Sequence, residues 1–475
     1  MSFVWKAVAI GSMALSLQAQ DYVKTFDWSG NSKHTREFNV SKLDGLKAIA
    51  WKAEMFPPYH AADPAEVLIA GNRIISIQKS GVIACSDRAT GQSLWVLGEK
   101  GNCTSPIVSG GVMYVATTGG KLLAINLETG KPVWSLNLNE EASNKSKFMD
   151  YVSQPVILGK KLYLSKIEGG DVKNYKLMAF DLKDGSKVAE FAPEKGGVGD
   201  LIITDGMLLM SGEAGIKGNV RITIGGTPLS PGSAYYYCFD PESLAVIWKF
   251  EYKMDENLKV SHDGSRVFLN IGHYASSGGS VLTPGGFVSG GSGPGGRLCS
   301  LDLKTGKKIW EVDTRTFVTP AIGDGVVVSQ VNHFLGGRKM AGLDIETGKT
   351  LWEYDSDVDF PYGVLLKNYV FLVESRRALG ELVAVDLKTG KKIISVKLDG
   401  TLARMPFLAD GKLYTFLQQR KTLLLRSWDP ATGKVLGEVK VGGIGNSEVL
   451  GMADGEVYLG QSPKGSGLGF LGVVR

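Results

Sequence analysis

Two histidines, three aspartates and two arginines are the side chains whose types and spacing suggest chemistry in this chain. His273 in "NIGHYAS" and His333 in "VNHFLGG" stand at similar places in successive stretches, from which they could jointly reach a metal or ligand. Two imidazoles do not make a metal site without a third ligand, so ordinary loop histidines are the simpler reading. Asp355, Asp357 and Asp359 in "YDSDVDF" alternate as oxygen ligands of Ca²⁺ do. They lack the Gly and terminal Glu of an EF-hand loop, which favours a solvated acidic link. Arg376 and Arg377 in "ESRRALG" add a basic pair. The glycine tract from Gly272 to Gly296 has neither the Lys-Ser/Thr ending of a phosphate loop nor a dinucleotide fingerprint. No Gly-x-Ser-x-Gly elbow and no His-Glu-x-x-His helix is present, so no catalytic residue is assigned.

What must position these groups is a repeat. The octamer "DLKTGKKI" occurs at Asp302 and again at Asp386. Aligned on its Thr-Gly, further copies appear: "DRATGQSLW", "NLETGKPVW", "DLKDGSKVA", "DPESLAVIW", "DIETGKTLW" and "DPATGKVLG". Their separations run from 39 to 62 residues, the scale of a propeller blade. Apolar or alternating residues before the Asp predict a strand. The Asp side chain closes a tight turn, and the Gly takes the positive φ the turn needs. A second strand ends in Trp95, Trp134, Trp248, Trp310 or Trp352, each read as packing in the gap between neighbouring units. An upstream hairpin with a Gly-Gly or Asp-Gly turn completes four strands per unit. The C-terminal residues supply only three strands, and "GLKAIAWKAEM", with Trp51 in the Trp position, is the expected fourth, closing a ring and hiding its edges.

The pattern Ala-x-Asp-x-x-Thr-Gly-x-x-x-Trp, in "CSDRATGQSLW", "GLDIETGKTLW" and "AVDLKTGKKII", resembles the repeat of the pyrroloquinoline-quinone-like β-propellers. The resemblance covers Trp51 to Arg475. It implies an all-β fold, a single β-propeller of four-stranded antiparallel blades, eight by the family's habit and nine by raw repeat count. The family's propeller serves quinone-dependent alcohol and sugar dehydrogenases and also binding scaffolds, such as an outer-membrane assembly lipoprotein. The dehydrogenases carry two adjacent cysteines and hold Ca²⁺ with Glu, Asn and Asp. Here Cys85, Cys103, Cys238 and Cys299 are all separated, and no matching ligand set can be picked out. The leading expectation is a non-enzymatic scaffold without a cofactor. Pyrroloquinoline quinone and Ca²⁺ belong only to the alternative, a quinone-dependent dehydrogenase.

The rest of the chain fits an exported protein. Residues 1–19 have the shape of a cleaved signal peptide, 20–43 form an extension that reads as a spacer or a strap, and 44–475 form the propeller. No later apolar run is long enough to span a membrane, so the mature chain is expected in the periplasm or secreted. The four cysteines permit up to two disulfides in such a compartment, with buried free thiols the other reading. A formal net charge of +5, with mixed signs, gives no nucleic-acid footprint. A protein, a peptide or an envelope component is the expected partner. Short turns fall on one face of the repeat and nearly all insertions on the other, so the long-loop face is the expected binding face.

Overall fold

In the computed structural model the repeat folds as four-stranded antiparallel meanders. The structure describes residues 23–24, 37–38, 49–54, 64–78, 81–99, 101–138, 151–167, 175–193, 201–211, 223–224, 227–228, 233–253, 257–272, 281–283, 286–288, 296–314, 319–332, 338–355, 364–366, 368–376, 379–402, 406–409, 411–420, 422–442, 445–453, 456–463 and 470–474. Eight sheets, here numbered in chain order, are built on the eight internal copies: sheet 1 (64–98), 2 (107–137), 3 (156–191), 4 (201–253), 5 (257–313), 6 (321–355), 7 (364–397) and 8 (407–442). A further sheet, 9, joins three C-terminal strands to Ile49–Glu54, which pairs antiparallel with Phe470–Val474. The expected split unit is therefore formed, and with it the described sheets match the raw repeat count.

Within a sheet the strands are named A to D. In sheet 6 they are Ala321–Gly323, Val326–Asn332, Arg338–Asp344 and Thr350–Asp355. The A strands of sheets 3 and 4, 5 and 6, 6 and 7, and 7 and 8 lie beside one another, and that of sheet 9 (Gly445–Ala453) lies beside that of sheet 1 (Pro64–Ala70). A is called the inner strand here, for these contacts, and D the outer one. Sheets 1 and 8 each gain an extra strand at the inner edge. Val23–Lys24 pairs with Pro64–Ala70, and Glu37–Phe38 pairs in parallel with Phe407–Ala409.

The C–D turn explains the conserved-looking motif letter by letter. In sheet 5 the backbone N–H and the hydroxyl of Thr305 both donate to Asp302 Oδ1, at 2.8 and 2.7 Å. Gly306 follows with φ 68°, and its N–H donates to Asp302 O. The next sheet repeats this with Asp344, Thr347 and Gly348. In sheets 1, 2, 3, 5, 6 and 7 the C–D turn is tied to its own A–B turn, as in Leu303 N–H to Ser265 O and Ile345 N–H to Gly325 O, both at 3.0 Å, whereas Pro241 and Pro430 stand at the donor position in sheets 4 and 8. The two short turns of a sheet therefore share one face.

Sheets dock through the tryptophans. The indole N–H of Trp95 donates to Leu127 O, Trp134 to Leu182 O, Trp248 to Leu303 O, Trp310 to Ile345 O and Trp352 to Leu387 O, at 2.6–3.0 Å. Each acceptor follows the turn Asp or Asn of the next sheet, so one bond fixes both the buried N–H and the sheet-to-sheet register. Trp51 enters its strand directly after a register shift, as the other five do, but its side chain is not among those described.

That register shift recurs in every C–D ladder of sheets 1 to 8. It leaves one unpaired residue just before the Trp position: Leu94, Val133, Val188, Ile247, Ile309, Leu351, Ile393 and Leu436. All eight are aliphatic and exposed. A bulge at one place in every outer strand interrupts an edge that would otherwise template pairing with another chain.

The four cysteines are free thiols. Cys85 lies directly across the ladder from Trp95 and Cys238 across from Trp248, where other sheets place Ala124, Ser300 or Gly342. The position demands a small side chain under the indole. Burial pushes the Cys85 thiol up to about 11 and that of Cys238 up to about 12. These are packing residues, inert as nucleophiles.

Candidate partner-binding face

The two faces of the sheets differ in construction. On the short-turn face, ion pairs tie neighbouring sheets: Arg88 to Glu456 (2.9 Å), Lys161 to Glu242 (2.7 Å), Lys388 to Asp324 (2.7 Å), and Arg266 to Glu346. The exposed pairs contribute little singly, and the four join sheets 9 and 1, 3 and 4, 5 and 6, and 6 and 7. This face is occupied by its own structure.

The opposite face carries the ends of the B and D strands and the insertions. The B–C connection of sheet 4 contains a small hairpin, Thr223–Ile224 with Thr227–Pro228. That of sheet 5, within the Gly272–Gly296 tract, contains Val281–Thr283 paired with Gly286–Val288. The glycine-rich insertion thus has strand structure of its own.

In sheet 5 and in other sheets, the strands and the links between sheets hold buried polar groups. Lys166, 1% exposed at the end of the B strand of sheet 3, donates from Nζ to Leu138 O of sheet 2. Glu374, 2% exposed in the B strand of sheet 7, accepts from Tyr354 Oη of sheet 6 at 2.8 Å. Thr314 and Asn270 meet in sheet 5, both fully buried. Arg426 clasps Asp399, in the link between sheets 7 and 8, through two bonds of 2.7 and 3.0 Å, and also reaches Glu438. The Arg426 hydrogen bonds hold the Asp399 carboxyl below the usual carboxylate range. Charged groups buried this way are costly unless paired, and paired across sheets they lock the loop bases in place.

Only part of the expected constellation falls on described residues. Asp355 ends the D strand of sheet 6, exposed, with Lys339 Nζ 3.4 Å away and Glu353 sharing the same lysine. The Glu353 bond is the first cause of the raised Lys339 pKa. Arg376 ends the B strand of sheet 7 opposite Leu379, without a described side chain. His273, His333, Asp357, Asp359 and Arg377 lie outside the described residues. Among the described residues no three His, Cys, Asp or Glu side chains are grouped to hold a metal ion. No two of the four cysteines are adjacent in sequence, unlike the pair that the dehydrogenase resemblance implies.

Lys166, Glu374, Tyr354, Arg426 and Asp399 were not singled out from sequence. The available signal was a charge interrupting an apolar strand, as in "LYLSKI", "YVFLVESR" and "TLLLRSW". No helix among the described residues is long and apolar enough to cross a membrane.

Comparison with known proteins gives one family. A family model described as outer membrane protein assembly factor BamB matches residues 39–223 and 232–368. No curated protein matches the chain. Among solved structures, BamB from Moraxella catarrhalis is 15% identical, covering 78% of this chain and 94% of its own, with a TM-score of 0.44. The quinohemoprotein alcohol dehydrogenase from Comamonas testosteroni is 13% identical, covering 96% and 80%, with a TM-score of 0.48. A europium-containing methanol dehydrogenase is 13% identical, covering 95% and 98%, with a TM-score of 0.45. Likenesses this distant do not separate scaffold from enzyme.

Proposed function

The chain belongs to the PQQ-like repeat β-propeller family whose model is described as outer membrane protein assembly factor BamB, and on that premise we propose that it is an exported, non-enzymatic binding scaffold. Its sheets close into a ring of nine, sealed by sheet 9, with residues 44–475 as one propeller. It works outside the cytoplasm, in the periplasm or secreted, once residues 1–19 are removed. Its partner is a protein, a peptide or another envelope component, taken by the long-loop face.

One observation carries this reading: the insertions of sheets 4 and 5 stand on the face whose strand ends are pinned by buried polar bonds. Binding residues borne on loops over a rigid base lose less freedom on association. His273, His333, Asp355, Asp357, Asp359, Arg376 and Arg377 belong to this face in the proposal, as contacts to a partner. The short-turn face is a poorer candidate because its charges are used between sheets.

The test is to shorten the Gly272–Gly296 loop and measure binding of the envelope partner, with the circular dichroism spectrum as the check on folding. Loss of binding is the expected result, and unchanged binding by a folded variant overturns the face assignment. Exposing the purified chain to pyrroloquinoline quinone and Ca²⁺ tests the other half. Bound-quinone absorbance with alcohol- or sugar-dependent dye reduction overturns the non-enzymatic reading.

A further inference from the structure

The N-terminal segment pairs with three sheets, and it does so unequally. Ile49–Glu54 is paired through five residues with Phe470–Val474 and completes sheet 9. The two earlier contacts are much slighter. Val23 and Lys24 pair antiparallel with Ile69 and Leu68 at the inner edge of sheet 1. Glu37 and Phe38 pair in parallel with Leu408 and Ala409 at the inner edge of sheet 8.

These are the inner strands of the two sheets that flank the split sheet. In sheets 2, 4, 5, 6 and 7 the A strand has only its B strand as a neighbour among the described residues. An A strand with one neighbour presents a row of backbone N–H and C=O groups, which is a template for an added strand. In sheets 1 and 8 that template is in use, and its occupant is an extended peptide from the same chain. Nothing about the hydrogen bonding of a two-residue pairing is specific to the tether. A separate peptide can make the same bonds.

We propose that the inner edges of Pro64–Ala70 and Phe407–Ala409 are strand-addition sites for an extended peptide, held in the resting chain by residues 23–24 and 37–38 as a resident ligand. The resident is displaceable because each pairing is two residues long and one is parallel, the slightly weaker arrangement. Its advantage is tethering: a short linker holds a segment at an effective concentration on the order of millimolar. A partner peptide that pairs over more residues, or adds side-chain contacts, overcomes that advantage. Ile49–Glu54 stays in sheet 9 throughout, so displacement leaves the split sheet intact. The inference concerns the inner edges and not the long-loop face, so its failure leaves the proposed partner face standing.

The test uses three forms of the full mature chain and one probe, a fluorescent peptide of residues 20–43, with anisotropy as the readout. The first form is unaltered. The second carries Val23→Cys and Ile69→Cys, whose Cα atoms face each other across an antiparallel ladder at a spacing a disulfide spans. The third carries Val23→Pro and Phe38→Pro, which remove the backbone donors of the resident strands. The expected order is the weakest binding by the oxidised cross-linked form, in which only the sheet 8 edge stays open to the probe, tighter binding by the unaltered chain, and binding at least tenfold tighter again by the proline form. Reduction of the cross-link restores binding to the unaltered level, which shows that the variant is folded. Equal affinity in all three forms, or no binding by the proline form, overturns the proposal.

Discussion

Gly348, in the turn of sheet 6, lies flat against the indole of Trp310 from sheet 5: a Cβ at Gly348 would fall 2.7 Å from Trp310 Cδ2. The same contact joins Gly130 to Trp95, Gly306 to Trp248 and Gly390 to Trp352. The turn glycine is thus required twice, for its φ of 69° and for the missing methyl. The indole N–H meanwhile bonds to Ile345 O in the same turn.

Two glycines separate these requirements. Gly325 has φ 80° with nothing within 4 Å of a Cβ, whereas Gly348 has both the φ and the indole. Gly325→Ala is expected to cost only the backbone strain, about 1 kcal/mol. Gly348→Ala adds overpacking of about 1–3 kcal/mol. Denaturant titration of both variants checks the order, and equal losses contradict the docking account.

Sheet 4 inverts the pair. Its turn has Leu244 at φ 56° where the other turns have Gly, and sheet 3 has Ala189 where sheets 1, 2, 4, 5 and 6 have Trp. Leu244 is buried in the cluster against which Ala189 packs, so it fills the space that a tryptophan takes elsewhere. Ala189→Trp alone is expected to be strongly destabilising, by about 3 kcal/mol, and Leu244→Gly alone to leave a cavity. Together they should recover at least about 1 kcal/mol relative to the sum of the single losses. Additive losses in a double-mutant cycle contradict the compensation.

The turn carboxylates set an acid limit. The Thr305 hydroxyl, then the Thr305 N–H, hold the Asp302 carboxyl below its usual range, and Thr347 does the same for Asp344. A pKa lowered by folding favours the charged form in the fold. Its stabilisation is complete above the unfolded value, about 4, and disappears as pH falls through the folded value. The denaturation midpoint should be level from pH 8 to 5 and fall below pH 4. Asn126 accepts the same bonds in sheet 2 without titrating. Asp302→Asn with Asp344→Asn should therefore shrink the acid loss while leaving neutral-pH stability nearly unchanged.

Ser329 is fully buried in sheet 6 with an unpaired hydroxyl. Val327, two residues before it on the same strand face, packs in the core shared with sheet 5. Removing an unsatisfied buried hydroxyl relieves a desolvation cost of about 1–3 kcal/mol. Ser329→Ala should raise the thermal midpoint, whereas Ser153→Ala, which removes a bond to Ser165 N–H, should lower it. A fall for Ser329→Ala contradicts this assignment.

Much of the fold was legible because its determinants are local. Asp302, Thr305 and Gly306 make their turn within five residues, and the period of the motif places the sheets. The tryptophans could be read as packing between units, but their N–H acceptors lie 32 to 55 residues away in the next turn. Leu244, in the turn position that is Gly in the other copies, is explained only by Ala189 beside it. The polar staples under the candidate face were not legible: Lys166 reaches Leu138 O and Glu374 meets Tyr354 only once two sheets are side by side. The extension before the propeller left spacer and strap both open, because two-residue pairings have no sequence period. The described pairings are those of a strap.

The most direct test of the scaffold account is site-specific photo-cross-linking in the cells that make the protein. A photoreactive residue replaces Leu282 or Ile224 in the two inserted hairpins, or Thr305 or Thr347 on the short-turn face. The account predicts discrete protein adducts from Leu282 and Ile224 and none from the two threonine positions. Adducts confined to Thr305 and Thr347 would contradict it.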